Sequence, residues 1–220
     1  MKIYVVGSSK NKFLPLDNIR EKFLIDEKHE GENIDFLNPW YCELTGMYHL
    51  RMNNNDDIVG LEHYRRYFVN DKGNLLNESE VRTLLSDCDV LLRKWDFIKR
   101  TRCKTAWEYL APNTKEYILK FLNTLSKDER EFLLNELKTL PYFAQCNMFI
   151  CRKQILDVYC DWFIEHAMCF TSKDLIRYPR CVGYVSEFLF GAYLKMKNLK
   201  IKWQKSVEYD KNTKRIIGWF

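Results

Sequence analysis

Short apolar segments alternate with amphipathic helical segments along most of this chain, and this alternation restricts its fold more than any other feature. The apolar segments have the length and composition of buried strands, and several of the others begin with helix caps. Strands alternating with helices are typical of α/β sandwiches. We therefore predict a single-domain α/β/α sandwich. The predicted strands are residues 2–6, 58–61, 88–92, 144–151 and 201–207, and the predicted helices are residues 38–52, 77–85, 126–140, 155–163 and 184–194.

Local sequence signals fix several helix starts. Asn38 followed by Pro39 combines a capping side chain with a proline at the first helical position. Residues 77–80 (NESE) and 126–129 (SKDE) have the pattern of capping boxes. The charged segment from about residue 96 to 141 is mostly helical in pattern, and we interpret it as an insertion or lid against the α/β core.

Composition excludes several classes of protein. The 220 residues suffice for one domain, residues 1–220, with a sizeable core. A net charge of +5 is only weak support for nucleic-acid binding and fits an anionic small ligand equally well. No apolar stretch approaches the ~20 residues that span a bilayer, and no signal peptide is recognisable. The eight cysteines form no Cys-x-x-Cys pair and no zinc spacing. We expect a cytoplasmic protein with reduced thiols.

The segment that follows the strand at residues 58–61 is the most informative one for function. Glu62, His63, Arg65 and Arg66 come directly after it. Ligands of open α/β sheets bind at the carboxyl ends of strands. Two neighbouring guanidiniums there suit an anion, because each planar fork matches two phosphate oxygens. The alternative is a basic surface patch beside an ordinary core strand.

The order of motifs along the chain resembles the bacterial family of small glycosyltransferases of capsular and exopolysaccharide biosynthesis, long described as a domain of unknown function. The matching stretches extend from about residue 2 to residue 208. They are residues 33–34 (NI), 38–45 (NPWYCELT), 60–68 (GLEHYRRYF), 147–150 (NMFI), 159–162 (YCDW) and 183–187 (GYVSE).

This resemblance implies a glycosyltransferase A-like fold and transfer of a sugar, with galactofuranose as one candidate, from a UDP-sugar to a growing glycan. The implied partners are the UDP-sugar, a lipid-linked or oligosaccharide acceptor, and the inner face of the cell membrane as a peripheral contact. The chain has Ser8-Ser9-Lys10 where similar chains often carry a histidine with a lysine, and Phe188 where an arginine often follows Glu187. These departures predict a different donor or acceptor, or a loss of activity.

The chain lacks the usual metal motif of this fold, an Asp-x-Asp after a central strand. Its one Asp-x-Asp, residues 87–89, precedes a strand, and we predict a turn there. We therefore predict that Arg65 and Arg66, helped by His63, stabilise the diphosphate without a cofactor, while Mn²⁺ or Mg²⁺ is left open. The alternative is a structural ion pair between one arginine and Glu62 or Glu43.

Further candidates come from carboxylates and amides at predicted element ends. Glu187 is the candidate general base, with a cap or an ion pair to Arg180 as the alternative. Asn147 in an apolar strand is either a donor to ligand or a satisfied core amide. The full prediction is Glu187 and His63 as catalytic residues, and Lys10, Asn33, Glu43, Thr45, Arg65, Arg66 and Asn147 as donor- and diphosphate-binding residues.

Two other functions fit the sequence less well. A catalytically silent partner in a polysaccharide-synthesis complex would bind no nucleotide sugar. A nucleic-acid-binding module would use stacked aromatic and basic side chains. The basic residues are interleaved with acidic ones and no RNA-recognition motif is present, so we expect no nucleic-acid partner.

Overall fold

The first apolar segment forms a strand, β1 (Lys2–Gly7), inside a mixed β-sheet. The computed structural model describes residues 1–14, 16–93, 101–140, 143–210 and 215–219. The other strands within these residues are β2 (Arg20–Leu24), β3 (Ile58–His63), β4 (Arg66–Phe68), β5 (Val90–Arg93), β6 (Phe149–Arg152), β7 (Ile201–Gln204), β8 (Ser206–Tyr209) and β9 (Ile216–Trp219).

The strands follow the order β2-β1-β3-β6-β5-β7 across the main part of the sheet. β1 is parallel to both β2 and β3, and β7 is parallel to β5. β6 runs antiparallel between β3 and β5. β4 follows β3 through a tight turn and pairs with β8, which pairs with β9, so these three strands form an antiparallel extension.

Helices cover both faces of this sheet. The α-helices in the described part of the chain are α1 (Asn38–Tyr41), α2 (Leu44–Asn53), α3 (Glu78–Asp87), α4 (Ala106–Tyr109), α5 (Pro112–Leu122), α6 (Lys127–Thr139), α7 (Lys153–Ala167), α8 (Ser172–Arg177) and α9 (Cys181–Met196). Short 3-10 segments lie at Asp35–Leu37 and Gln145–Asn147.

Side-chain alternation along the central strands explains the two layers of helices. Val59 and Leu61 of β3 join a large apolar cluster that contains residues of α2, α7 and α9. Ile58 points to the opposite face and joins a smaller cluster with Val81 and Leu85 of α3. Successive side chains of a strand alternate between faces, so one strand supports both layers. The prediction of an α/β/α sandwich is confirmed.

Two predicted elements are wrong in detail, because the chain adopts positive φ inside them. The helix expected over residues 38–52 is broken at Cys42, where φ is 52°, and continues as α2. The strand expected over residues 144–151 begins only at Phe149. Cys146 and Asn147 precede it in a 3-10 turn with φ of 59° and 50°. Neither break follows from hydrophobic periodicity.

The end of the chain and its second strand also differ from the prediction. Residues 201–207 form two strands, because β7 pairs with β5 whereas β8 pairs with β4. Sequence analysis missed β2, a short strand that pairs with β1 and has exposed Glu21 and Lys22. An ion pair between buried groups anchors it, since Arg20 Nε lies 2.7 Å from Glu62 Oε2.

The predicted helical block is present as α4, α5 and α6, and both α5 and α6 pack against α9. Ser126 and Glu129 form the expected capping box at the start of α6. Asn77 and Glu80 do the same for α3. Residues 96–100 and 141 of this block lie outside the described residues, and its interpretation as an insertion stays a prediction.

Candidate functional site

A cavity of about 690 Å³ opens at the carboxyl ends of β1 and β3. This is the end of the sheet where ligands of α/β proteins bind. Stretches that are distant in sequence are brought together in its wall by the sheet order. Most of the wall comes from residues within 6–11, 38–43, 63–66, 143–146 and 180–188.

The turn between β3 and β4 supplies the basic side of the cavity. His63 pairs with Arg66 in antiparallel register, so the chain reverses over only two residues, Tyr64 and Arg65. The backbone N–H of Tyr64 donates to the carbonyl of Val6 at 2.8 Å, which ties the turn to β1. This short connection places one imidazole and two guanidiniums in the cavity wall.

The carboxylate of Glu208 on β8 forms ion pairs with three guanidiniums. Its oxygens lie 3.4 Å from Arg65 Nη2 and 2.9 Å from Arg66 Nη2. They also lie 3.5 Å from Nη2 of Arg93, which is fully buried at the end of β5. The guanidiniums of Arg65 and Arg66 line the cavity, and their positive charge favours an anionic ligand on this side.

His63 is neutral in this environment. Burial, reinforced by the guanidiniums of Arg66 and Arg65, lowers the pKa of His63 well below its usual range. His63 Nδ1 lies 3.2 Å from Arg66 Nη1. A guanidinium only donates, so Nδ1 accepts and the single imidazole proton resides on Nε2. His63 can therefore donate one hydrogen bond from Nε2.

Two buried carboxyl groups occupy the other side of the cavity. Glu187 Oε2 accepts a hydrogen bond from the backbone N–H of Cys146 at 3.0 Å, and Glu43 Oε1 lies 3.8 Å from Arg180 Nη2. Burial raises the pKa of both carboxyl groups. For Glu187 the pKa reaches about 8, with the negative charge of Glu43 as the second cause. Such a carboxyl group holds a proton near neutral pH and is a strong base once ionised.

Backbone strain is concentrated around the cavity. Among the described non-glycine residues with positive φ, Cys42, Cys146 and Arg180 line it, with φ of 52°, 59° and 66°. Asn147, with φ of 50°, follows Cys146 directly, whereas Asn198 lies elsewhere. Left-handed backbone is costly for residues with a side chain and tends to persist where function requires it.

Several buried polar atoms in the cavity wall have no hydrogen-bond partner within the described protein. Native proteins satisfy nearly all buried polar groups, so a cluster of unpaired ones calls for a physical explanation. A bound ligand would supply the missing partners. The atoms are Asn38 Oδ1, Glu43 Oε2, Arg65 Nε, Arg66 Nε and Gln145 Oε1.

Comparison with known proteins identifies the family and the fold of this chain. A family profile described as a domain of unknown function (DUF4422) matches residues 2–198, nearly the whole chain. The chain belongs to the DUF4422 family. This confirms the family expected from the motifs, while the family's description itself assigns no activity.

A solved structure shows the same fold as this DUF4422 member. It is the apo structure of WbbM, described as a bifunctional glycosyltransferase, with a TM-score of 0.72 and 22% sequence identity. The similarity covers 93% of this chain but 44% of the WbbM chain, so this protein spans less than half of that structure. The predicted glycosyltransferase-like fold is therefore confirmed. No curated protein matches the sequence.

Five of the predicted site residues of this DUF4422 chain meet in the cavity although they come from three separate stretches of sequence. The two arginines and the histidine come from the β3–β4 turn, one carboxylate precedes α2, and the other lies in α9. They are Glu43, His63, Arg65, Arg66 and Glu187.

The other four predicted residues lie outside the cavity. Lys10 is exposed on the loop after β1. Asn33 Nδ2 donates to backbone carbonyls of its own loop, and Thr45 Oγ1 donates to the carbonyl of Cys42. Asn147 is fully buried and donates to the carbonyl of Gly183, so this amide contacts α9 from behind the cavity wall.

In the described structure, the ion-pair partner of Arg65 and Arg66 is neither Glu62 nor Glu43. Glu62, which was considered for Arg65 or Arg66, instead binds Arg20 and accepts the backbone N–H of Phe68. Arg65 and Arg66 contact Glu208.

The carboxyl group of Glu187 also has a partner other than the one considered for it, since it accepts the backbone N–H of Cys146. Arg180, which was considered as a partner for Glu187, lies next to Glu43 and Cys42. Residues 87–89 end α3 and precede β5, so the only Asp-x-Asp is a turn as expected.

Sequence reasoning missed several residues of the site. Glu208 and Arg93 lie on short strands whose pairing partners are far away in sequence, and a lone charge on such a strand gives no signal. Arg180 was noted only as part of a basic turn. Asn38 and Gln145 stand out only through their unpaired buried oxygens.

The described residues also bear on metal binding and membrane insertion. No group of three or more His, Cys, Asp or Glu side chains there is arranged to hold a metal ion. The prediction of a metal-independent site stays a prediction. None of the helices in the described ranges is long and apolar enough to cross a bilayer.

Proposed function

We propose that this protein is a glycosyltransferase that moves a sugar from a UDP-sugar to a growing capsular or exopolysaccharide glycan. The observation that carries the proposal is one cavity that holds an arginine-rich anion site on one side and a buried carboxyl group of high pKa on the other. The similarity of the fold to a bifunctional glycosyltransferase supports it. Galactofuranose is one candidate for the transferred sugar.

Arg65 and Arg66 would bind the diphosphate of the donor. Their Nε atoms are buried and unpaired, and each guanidinium can direct a free donor at a phosphate oxygen. The neutral His63 adds one hydrogen bond from Nε2. As the bond between the sugar and the diphosphate breaks, negative charge grows on the departing UDP, and fixed cations stabilise it without reorganising.

Glu187 would act as the general base. In the ionised form it takes the proton of the acceptor hydroxyl while that oxygen forms the new bond to the anomeric carbon of the sugar. The bond from this carbon to the diphosphate oxygen breaks, and UDP leaves with the bonding electron pair. The hydrogen bond from the Cys146 N–H fixes Oε2, which orients the carboxylate.

The acceptor belongs to the same proposal. A growing glycan of this kind is lipid-linked, which would place the protein at the inner face of the cell membrane as a peripheral, cytoplasmic enzyme. No metal is required by the arginine-based mechanism, and Mn²⁺ or Mg²⁺ enters only as a variable of the test below.

Thermal unfolding of the protein with UDP, UDP-glucose and UDP-galactose, first in EDTA and then with Mn²⁺, tests the proposed function. A ligand at 100 times its Kd stabilises the folded state by about 2.7 kcal/mol, which is readily detected. We expect stabilisation by UDP compounds in EDTA. Stabilisation only with Mn²⁺ would still support a transferase, but it would show that the arginines alone do not neutralise the diphosphate. No stabilisation under either condition would favour a catalytically silent partner protein.

A further inference from the structure

Three hydrogen-bond acceptors in the cavity wall lack a partner: Asn38 Oδ1, Glu43 Oε2 and Gln145 Oε1. We propose that these three oxygens form the subsite that recognises the hydroxyl groups of the transferred sugar. The inference rests on the proposed function and extends it, because it assigns the residues that select the donor.

The chemistry of the unpaired atoms limits what can bind there. A buried acceptor without a partner is unfavourable, so a ligand that brings hydrogen-bond donors suits this part of the wall. A diphosphate has only acceptor oxygens near neutral pH, so it cannot supply these donors. In the nucleoside, uracil offers one N–H and the ribose offers two hydroxyl groups. A hexose carries several hydroxyl groups on one ring and can donate to three acceptors at once.

The position of these atoms agrees with a sugar attached to the diphosphate. Cys146 joins the two reactive sides of the cavity, because its Sγ lies 3.3 Å from Arg66 Nη1 and its N–H donates to Glu187. Gln145 directly precedes Cys146. The anomeric carbon must lie between the diphosphate at Arg66 and the base at Glu187, so the sugar ring lies beside this segment.

Glu43 is held on the same side by tight packing. A Cβ atom added at Gly183 of α9 would lie 3.2 Å from the Cβ of Cys42 and 3.2 Å from the carbonyl oxygen of Tyr41. The short contact between α9 and the turn before α2 fixes Glu43, which is only 7% exposed. Its Oε1 lies near Arg180 and its Oε2 stays available to ligand.

The nucleoside would then occupy the opposite arm of the cavity. β1 lies next to β3 in the sheet, on the side away from β6. Gly7 at the end of β1 and Ser8 and Asn11 after it line this arm. The sheet order therefore places Arg65 and Arg66 between a nucleoside arm at β1 and a sugar subsite at the segment that enters β6.

Calorimetric titration of the whole protein with UDP, UDP-glucose and UDP-galactose tests this inference. The variants are Glu43→Gln, which retains the shape of the side chain, and Gln145→Ala, which removes one acceptor. Glu116→Gln is the matched control, because Glu116 is an exposed carboxylate that pairs with Arg177 on the surface. Circular dichroism and melting temperature verify that each variant is folded.

We expect both variants to bind UDP within about twofold of the wild type. The tighter of the two UDP-sugars should bind roughly 10- to 100-fold more weakly to Glu43→Gln and about tenfold more weakly to Gln145→Ala, as expected for lost hydrogen bonds. The control should change neither affinity. The selectivity between glucose and galactose, which differ at one hydroxyl, should also shrink in the variants.

Other outcomes would overturn the inference in distinguishable ways. An unchanged ratio of UDP-sugar to UDP affinity in both variants would overturn the sugar subsite while leaving the proposed function intact. An equal loss of affinity for UDP and UDP-sugars would assign these residues to the nucleoside instead. A wild-type protein that binds neither UDP nor UDP-sugars would overturn the proposed function, and this inference with it.

Discussion

The guanidinium of Arg66 lies 2.9 Å from the carboxylate of Glu208, which follows it by 142 positions in the chain. The same carboxylate also contacts Arg65 and Arg93, so three guanidiniums share it at this end of the sheet. An anion in the cavity would add a further counter-charge. Ligand binding and the stability of this region are therefore linked.

Replacing Glu208 tests this charge balance. Glu208→Gln removes the carboxylate that Arg65, Arg66 and Arg93 share, and we expect the free energy of unfolding of the ligand-free protein to fall by about 3 kcal/mol. Stabilisation by UDP should be larger in this variant than in the wild type, since the ligand then supplies the missing charge. Chemical denaturation with and without UDP measures both effects. A variant as stable as the wild type would show that the three arginines do not need this carboxylate.

Replacing both arginines tests the diphosphate site. We expect Arg65→Ala/Arg66→Ala to remain folded, to weaken UDP binding by at least about 100-fold, and to abolish sugar transfer, since charge-assisted hydrogen bonds are lost. Calorimetry with UDP and an assay of UDP release measure these changes. Arg177→Ala is the matched control, because Arg177 lies on the surface beside Glu116. Unchanged turnover in the double variant would remove these arginines from the mechanism.

The pH dependence of the reaction should report the ionisation of Glu187. Its pKa is raised to about 8, so the ionised base becomes scarcer by about tenfold for each pH unit below this value. We expect kcat/KM to rise with pH up to about 8 and then to level off. Glu187→Gln should lose most of kcat and retain UDP affinity. An acid limb near pH 4.5 would contradict the buried environment of this carboxyl group.

The same shift has a consequence for stability. Because the pKa of Glu187 is higher in the folded than in the unfolded protein, the folded state binds the proton more tightly between pH 4.5 and about 8. The contribution of this group to stability is thus complete below pH 4.5 and is lost as pH rises towards 8. Glu187→Gln should flatten the fall of the free energy of unfolding over this range.

His63 should stay neutral across the physiological range. Burial and the surrounding guanidiniums lower its pKa, so protonation should begin only well below pH 6.5. Nitrogen chemical shifts from two-dimensional NMR should show a single tautomer with the proton on Nε2, since Nδ1 accepts from Arg66. A midpoint at or above 6.5, or the opposite tautomer, would contradict this arrangement.

Two glycines provide a paired test of packing. A Cβ atom at Gly60 of β3 would lie 2.9 Å from the carbonyl oxygen of Phe149 and 2.9 Å from a side-chain carbon of Ile150, so Gly60→Ala should destabilise the protein by about 1–3 kcal/mol. At Gly191 of α9 the nearest atom, in Trp203, lies 3.5 Å away. Gly191→Ala should be neutral or stabilising, because alanine favours a helix. Thermal unfolding measures both, and equal effects would contradict the close contact at Gly60.

The layers of the fold could be predicted from the sequence because they depend on local patterns. The apolar run from Ile58 to Leu61 and the capping residues Asn77 and Ser126 specify their elements with little help from distant residues. The β3–β4 turn could be placed at a ligand-binding edge for the same reason. His63, Arg65 and Arg66 were found because they follow directly after a recognisable strand.

The rest of the site depends on contacts between distant residues. β2 and β8 are short, and their strand character follows from pairing with β1 and β4 rather than from their own composition. The positive φ of Cys42 and Cys146 reflects chain reversals imposed by packing against α9, whereas propensity predicts regular structure there. Glu208 could not be recognised from sequence, because its role exists only once β8 has paired with β4.

The late position of Glu208 in the chain also matters while the protein is being made. The arginines at the β3–β4 turn leave the ribosome long before the carboxylate that compensates them. Until β8 has been translated, these arginines lack the carboxylate of Glu208. The addition of one short strand then brings that carboxylate to 3.4 Å from Arg65 and 2.9 Å from Arg66, so the charge balance of this region is completed only near the end of synthesis.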